Sequence, residues 1–377
     1  MQSGPVEIAH LYVHVPFCPT ICPFCNFHVL RRRDDLVEAY LKRLDAELAT
    51  TAQQWPQSGP LKTVYLGGGT PSHLTEDELQ RLLASIRRRF VLREDAEIGI
   101  EVHPLNVSAD RPARWRELGF TRVSVGVQST QDRVLRTLGR PHDAATAMAA
   151  LQSVLAVGGW TVNADLIVAV HGQDVAADLH RLAASGVDHL SAYTLTIEEG
   201  TALHRQGFTV SEEAERHAVE LAAAILPSYG LARYEVSNHA RPGHRCAHNL
   251  AYWQGRYWFG AGPSATASLP APAGGRQLLR NAPLDAWLDG TAAHVELLDA
   301  LDVVRIALLT GLRLAEGVDM AVLEVADAAQ EVAAELDGVK QRIARLCAQG
   351  RLVRVDARLV VAVDKVVVLE RLLAELW

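Results

Sequence analysis

Leu11-Tyr-Val-His-Val-Pro-Phe-Cys18-Pro-Thr-Ile-Cys22-Pro-Phe-Cys25-Asn-Phe27 puts three cysteines at x3 and x2 spacing directly after a short β-branched run. The run reads as a strand and the cysteines as the loop at its end, a place from which a chain can wrap a metal cluster. A structural zinc site needs four ligands, usually supplied as two pairs. Iron–sulfur clusters also normally take four thiolates. A cubane held by three thiolates keeps one iron open for a substrate, which suggests a catalytic cluster rather than a structural one. The alternatives are a zinc site completed by His14, His28 or a distant His, and three unrelated reduced cysteines. Three of the five cysteines fall within eight positions, which argues against coincidence.

The whole chain bounds what such a loop can serve. Its 377 residues accommodate one large domain with a smaller one, or two to three ordinary domains. A composition of 49% hydrophobic and 21% charged residues is that of a soluble globular enzyme. A net charge of −7 and a pI near 6.1 lack the basic field of a nucleic-acid binder, so no nucleic-acid partner is expected. The basic runs 31–33 and 87–89 read as solvated surface. No apolar run reaches the length of a membrane span, and residues 1–10 have neither the basic region nor the apolar core of a signal peptide. The expected location is therefore cytoplasmic. In that reducing compartment the cysteines are not expected to form a disulfide framework, and a thiolate-bound cluster can persist. Cys347 falls in a helical pattern and reads as packing.

From Leu11 onward, strand-like segments (11–15, 61–65, 97–102, 122–126, 161–168, 189–195) alternate with helical ones. Leu36, Tyr40, Leu44 and Leu48 mark the first helix. Thr75 and Glu78 form a capping box before Leu79, Leu82, Leu83 and Ile86. Further helices are expected near 109–118, 143–157 and 174–185, each ended by glycine. Six consecutive strand–helix units predict a parallel sheet in an open or partial (β/α) barrel, with ligands at the carboxyl ends of the strands. The informative residues follow the strands: Cys18 to Cys25, then Gly67-Gly68-Gly69-Thr70-Pro71, Glu101 and His103, Gln128, Asp165, and Tyr193 to Glu198. The triple glycine permits close backbone approach and presents N–H groups, without the Gly-Lys-Ser/Thr of a Walker loop. If Glu101, Gln128, Asp165 and Arg140 converge, they suit a ligand carrying an amine, a carboxylate, a ribose and a purine.

Beyond residue 205 the pattern changes. A helix near 211–226 leads to a strand-like 233–237 and then to a loop with His239, His244, Cys246 and His248 beside Tyr252, Trp253, Tyr257 and Trp258. These could line a pocket for a flat, metal-containing ligand. On the residues alone, His248 and Asn249 read as hydrogen-bonded loop residues and the aromatics as core. Residues 270–275 form a turn between two short strands. From about 295 a separate module is expected, with helices at 298–313 and 336–348, β-rich runs at 351–355 and 358–363, and a closing helix. Helices followed by a hairpin resemble a winged-helix arrangement.

The Cys-x3-Cys-x2-Cys loop with Phe24 before its third cysteine, Gly-Gly-Gly-Thr-Pro, Val-Ser-Val-Gly-Val-Gln-Ser and the stretch Thr310-Gly-Leu-Arg-Leu-Ala-Glu316-Gly-Val-Asp319 together resemble the radical S-adenosylmethionine superfamily. Within it they resemble the oxygen-independent coproporphyrinogen III oxidases and the related heme chaperone (HemW) branch. The resemblance implies a [4Fe–4S] cluster on Cys18, Cys22 and Cys25, whose open iron takes the amine and carboxylate of S-adenosylmethionine before its cleavage to a 5′-deoxyadenosyl radical. It implies S-adenosylmethionine contacts from Tyr12, Phe24, Gly68, Gly69, Thr70, Glu101, Gln128, Arg140, Asp165, Thr196 and Thr266. The oxidases carry a further cysteine where this chain has Phe27. The chaperones carry a His-Asn-x-x-Tyr-Trp motif linked to heme binding, matched by His248, Asn249, Tyr252 and Trp253. Both features place the chain in the chaperone branch and reassign His248 to heme.

Departures lie on the expected substrate side. Asn26 stands where Asp is usual, Glu101-Val-His-Pro replaces Glu-Ala-Asn-Pro, Ala169-Val-His171-Gly replaces Gly-Leu-Pro-Gly, and Thr266 stands where His is common. The expectation is a radical-type α/β partial (β/α)6 barrel over 1–205, an extension over 206–294 bearing the His/aromatic loop, and a winged-helix-like α+β module over 295–377. Its function is heme binding and transfer, with an electron donor and a heme-acceptor protein, at a membrane, as partners. The alternative is an enzyme, either a coproporphyrinogen oxidase or a radical methyltransferase.

Overall fold

The computed structural model describes residues 6–272, 274–327, 332–362, 366 and 368–377; of the segments discussed above, residues 1–5, 273, 328–331, 363–365 and 367 lie outside the described residues. Six strands follow the expected alternation: β1 Ile8–Val15, β2 Leu61–Gly68, β3 Leu92–Val102, β4 Arg122–Gln128, β5 Thr161–Val168 and β6 His189–Thr194. They are neighbours in chain order, and every adjacent pair is parallel. With the right-handed crossovers that βαβ units adopt, a sequential order puts every connecting helix on the same side, so the sheet curls around the other.

The helices form where their signals lie. Glu76–Arg89 starts at the Thr75–Glu78 capping box and buries Leu79, Leu82, Leu83 and Ile86 against the sheet. Ala144–Val157 starts at Asp143, whose side chain accepts from the Thr146 N–H. Arg32 is not plain solvated surface: its guanidinium makes a bidentate pair with Glu78 at 2.8 and 2.9 Å, tying the cysteine loop to that helix. Arg88 and Arg89 likewise pair with Asp45.

A seventh parallel strand, β7 Tyr257–Ala261, joins the free edge of β1. Nothing in the aromatic-rich run 252–259 marked it as a strand, because a short apolar run does not distinguish sheet from buried loop. Thr266–Pro270, Arg276–Arg280 and His294–Leu298 extend that edge as an antiparallel meander, with the expected turn between the first two. At the other edge, the strand expected over 233–237 is instead split into Ala232–Arg233 and Asn238–Ala240. One core runs from Ile8 to Trp287 and a second from Leu301 to Leu376. The second packs helices Ala300–Gly311 and Ala333–Ala348 over the hairpin Leu352–Val355/Arg358–Val361, giving the expected helices-then-hairpin order. Half-buried Cys347 packs against it. No helix among the described residues is long and apolar enough to cross a membrane.

The end of β2 is where sequence and sterics meet most tightly. Gly68 has φ +103°, and a Cβ there would sit 2.4 Å from the His14 imidazole. That ring is itself pinned by bonds to Tyr12 Oη at 3.1 Å and the His28 carbonyl at 2.9 Å, so it cannot yield cheaply. Gly68→Ala is expected to lose about 2–5 kcal/mol, combining left-handed strain with overpacking. Gly158→Ala, at φ +68° and ψ 176° with open space around it, should lose ~1–3 kcal/mol from backbone strain alone. Urea midpoints of the two variants measure the difference.

Candidate functional site

The carboxyl ends of the strands open into a cavity of about 290 Å³ lined by Cys18, Cys22 and Cys25 together with Phe24, Gly68, Gly69, Thr70, Glu101, Gln128, Arg140 and Asp165. Most of the residues expected to hold a nucleotide-like ligand are therefore brought together. The glycine backbone does a different job from the one expected. Gly69 N–H donates to the Val15 carbonyl (2.8 Å), Thr70 N–H to the Phe17 carbonyl (2.9 Å) and Gly68 N–H to Glu101 Oε2 (3.0 Å). These donors are committed within the protein. They anchor the root of the cysteine loop and aim Glu101, so the glycines give a ligand room rather than N–H groups.

The cysteines are all free thiols. Burial, the largest cause, pushes Cys18 up to about 11 and raises Cys25 as well. Buried thiolates of this kind need a positive partner to share their charge. Arg140 Nη1 donates to Cys22 Sγ at 3.1 Å and Thr70 Oγ1 to Cys18 Sγ at 3.5 Å. Among the described residues, no three His, Cys, Asp or Glu side chains converge on one ion position. A cubane places each thiolate on a different iron and needs no such convergence, so the donor set fits a cluster. The zinc alternative fits poorly. His14 has both nitrogens committed, and His28 Nε2 accepts from the Leu284 N–H at 3.0 Å.

Beside the thiols lie two half-buried carboxylates. Burial and then the charge of Asp165 push Glu101 up to about 8. Burial also raises Asp165, against the lowering effect of Ser124 Oγ (2.7 Å) and Asn163 Nδ2 (2.7 Å), which donate to it. Arg140 is the only Lys or Arg among the described residues lining this cavity. A ligand bearing positive charge would relieve the pair, and S-adenosylmethionine carries both a sulfonium and an ammonium. Gln128 ends β4 at φ +67°, beyond a break in register after Val125, and its Oε1 accepts from Tyr193 Oη at 2.9 Å. Such a conformation in a non-glycine residue at a strand end is the kind of strain that collects at ligand sites. Phe27 stands at the rim, 62% exposed.

Not every expected contact is in place. Tyr12 lines a second cavity, deeper in the barrel. Thr196 is exposed beyond β6, and Thr266 opens a strand outside β7; neither lines the mouth or the deeper cavity. Sequence reasoning passed over Tyr65 and Ser124, which line both cavities, although polar residues alternating along strand interiors (Thr63/Tyr65, Ser124, Asn163/Asp165) carry that signal.

The deeper cavity, about 260 Å³, shares Tyr65, Glu101, Ser124 and Asp165 with the mouth. Helix Ala247–Trp253 closes it at the amino ends of the strands. Glu97 accepts from the N–H groups of Ala247 and His248 (3.2 and 3.0 Å), and Arg122, 3% exposed, bonds both Glu97 and the carbonyls of His244 and Arg245. His248 is buried with both nitrogens engaged: Nδ1 lies 2.7 Å from Thr63 Oγ1 and Nε2 2.8 Å from Tyr252 Oη. Its ring stacks on Tyr65 at 5.2 Å, and burial takes its pKa down to about 3, so it is neutral. In this conformation His248 offers no free nitrogen to a metal and is the hydrogen-bonded residue that the local sequence suggested. Among the described residues, Asn249 Nδ2 and Trp253 Nε1 are buried without a hydrogen bond of standard geometry, and Trp253 faces Arg313 of the C-terminal module. His239, His244 and Cys246 do not converge with His248 on one position.

Comparison with known proteins agrees with this geometry. The radical SAM superfamily model matches residues 12–183. The heme chaperone HemW of Mycobacterium tuberculosis (strain H37Rv) is 40% identical over 285 residues, covering 70% of this chain and 73% of that one. HemW of Escherichia coli K12 is 35% identical over 273 residues, covering 70% and 71%. The structure of E. coli coproporphyrinogen III oxidase (HemN), a radical SAM enzyme, superposes with a TM-score of 0.82 over 100% of this chain and 91% of that one, at 22% identity, a likeness of fold. Membership in the superfamily implies a [4Fe–4S] cluster and S-adenosylmethionine. The chain belongs to the radical SAM superfamily and, within it, to the heme chaperone HemW family.

Proposed function

We propose that the protein binds heme and hands it to acceptor proteins, holding a [4Fe–4S] cluster on Cys18, Cys22 and Cys25 and S-adenosylmethionine in the mouth cavity. The observation that carries this reading is the size and closure of the barrel interior. It consists of cavities of about 290 and 260 Å³ above a floor sealed by Ala247–Trp253. Ligand sites run to ~300–1,000 Å³. The mouth is of a size for one nucleotide-like ligand. On this reading a tetrapyrrole is cargo held outside the barrel rather than a substrate under the cluster. Phe27, in place of the oxidases' further cysteine, supports the same choice.

When bound, the cluster supplies an electron to the sulfonium of S-adenosylmethionine. The chain's own residues do the rest. Arg140 holds the Cys22 sulfur, the Gly68 N–H orients Glu101, and Ser124 with Asn163 orients Asp165. Glu101 and Asp165 receive the positive end of the ligand, and Phe24 and the rim of the cysteine loop cover it. The partners this reading requires are a reductant for the cluster and a heme acceptor at the membrane, met from the cytoplasm.

Transfer tests it. Heme-loaded protein mixed with a heme-free acceptor such as apo-myoglobin should lose its own Soret band as the acceptor's appears, at a rate above that of free heme release. A load that stays bound, or a chain that takes up no heme, defeats the proposal.

A further inference from the structure

The underside of the barrel floor is not a plain surface. Helix Ala247–Trp253 turns His248 and Tyr252 inward, and with Leu250 and Ala251 it lines an outer groove of about 680 Å³. The opposite wall is built by His10 of β1, Lys62 of β2, Arg256, and Tyr257 at the start of β7. We propose that this groove is where heme binds, with Nε2 of His10 as an axial ligand to the iron and His248 as a positioning residue that holds His10 through Thr63. The inference rests on the heme reading above and assigns it a place.

An imidazole that ligates a metal presents one unprotonated nitrogen and donates its other N–H to an acceptor that fixes ring and tautomer. His10 Nδ1 lies 2.9 Å from Thr63 Oγ1, while Nε2 makes no hydrogen bond among the described residues. The Thr63 hydroxyl lies between two imidazoles, 2.7 Å from His248 Nδ1. Two proton arrangements satisfy the row, each the reverse of the other, and a metal ion on His10 Nε2 selects the following one. His10 Nδ1–H donates to Thr63, Thr63 donates to His248 Nδ1, and His248 Nε2–H donates to Tyr252 Oη at 2.8 Å. That arrangement leaves the His10 Nε2 lone pair free.

The walls match an apolar disc with a dianionic edge. Leu250, Ala251, Ala9 and Tyr257 supply apolar surface, and Lys62 and Arg256 supply two cations. Among the described residues Lys62 pairs with exposed Glu7, which also lines the groove, at 2.9 Å, a surface bridge worth about 0–1 kcal/mol and readily exchanged for a propionate. The row of bonds also explains how the ring of the His-Asn-x-x-Tyr-Trp motif can govern heme while buried: it sets the ligand without being one.

Ferric heme titrated into the cluster-loaded full chain, read by Soret absorption and electron paramagnetic resonance, tests the assignment. Wild type should give a histidine-ligated spectrum. His10→Ala should lose that signature and bind at least about ten-fold more weakly. His10→Gly should regain the signature on adding imidazole, which a merely structural residue would not allow. Thr63→Val should keep histidine ligation but bind ~10–100-fold more weakly. Cluster absorption, on the far side of the barrel, reports that each variant is folded. A His10→Ala protein with the wild-type spectrum, or a His10→Gly protein that imidazole does not restore, overturns the assignment. If such a variant still binds and transfers heme, the functional reading survives and only the site falls; a wild type that takes up no heme sinks both.

Discussion

Changing any one of Cys18, Cys22 or Cys25 to Ala is expected to bring the iron and acid-labile sulfide of the reconstituted protein from about four per chain to near zero, with loss of the visible charge-transfer absorption. The magnitude follows from ligand count. Clusters are normally held by four thiolates, and this loop supplies three, so two remaining ligands leave half the irons without protein anchorage. Neither nearby histidine is placed as a substitute, because His14 has both ring nitrogens in other bonds and His28 has Nε2 bonded to the Leu284 N–H. Cys246 caps the floor helix and Cys347 packs in the C-terminal core, so Cys246→Ala and Cys347→Ala should retain a full complement of iron. Iron analysis and visible spectra of the five variants check this. Full iron in any of the first three would remove the cluster from the cysteine loop.

The second large effect is expected at the barrel floor. Arg122 is 3% exposed and bonds Glu97 at 2.8 Å and two carbonyls of the chain leading into helix Ala247–Trp253. Glu97 in turn holds the first N–H groups of that helix. Arg122→Ala removes one member of a buried pair, which costs about 3–5 kcal/mol. Arg122→Lys keeps the charge but cannot bond Glu97 and the two carbonyls from separate nitrogens, as Nε and Nη2 do, and should lose about 1–2 kcal/mol. Urea denaturation gives both values, and limited proteolysis should cut first near residues 244–256 in Arg122→Ala. An unchanged midpoint would mean that the floor is held by packing alone.

How much of this was legible in the sequence depends on the kind of signal. Six strands and the capped helices declare themselves through periodicity, caps and glycine stops, because those depend on local chemistry. The mouth was legible for the same reason: residues just past parallel strands must face the open end. Other features lie beyond local reading. The pairing of β7 with β1 joins residues nearly 250 positions apart and carries no local mark. The committed N–H groups of Gly68, Gly69 and Thr70 depend on where β1 ends in space, so their use on Val15, Phe17 and Glu101 could not be read from a glycine run. Thr196 and Thr266 came from family resemblance rather than from strand ends, and the cavities do not include them. His248 shows both limits. Its local surroundings suggested a hydrogen-bonded residue, which its ring is; its bearing on heme needs the row of bonds through Thr63 to His10.

With cluster and S-adenosylmethionine in the barrel and the tetrapyrrole as cargo, anaerobic incubation of the reconstituted protein with reductant, S-adenosylmethionine and coproporphyrinogen III should yield no protoporphyrinogen on chromatography, from a preparation that still binds and transfers heme. Formation of protoporphyrinogen at a rate that depends on Cys22 would make the tetrapyrrole a substrate instead.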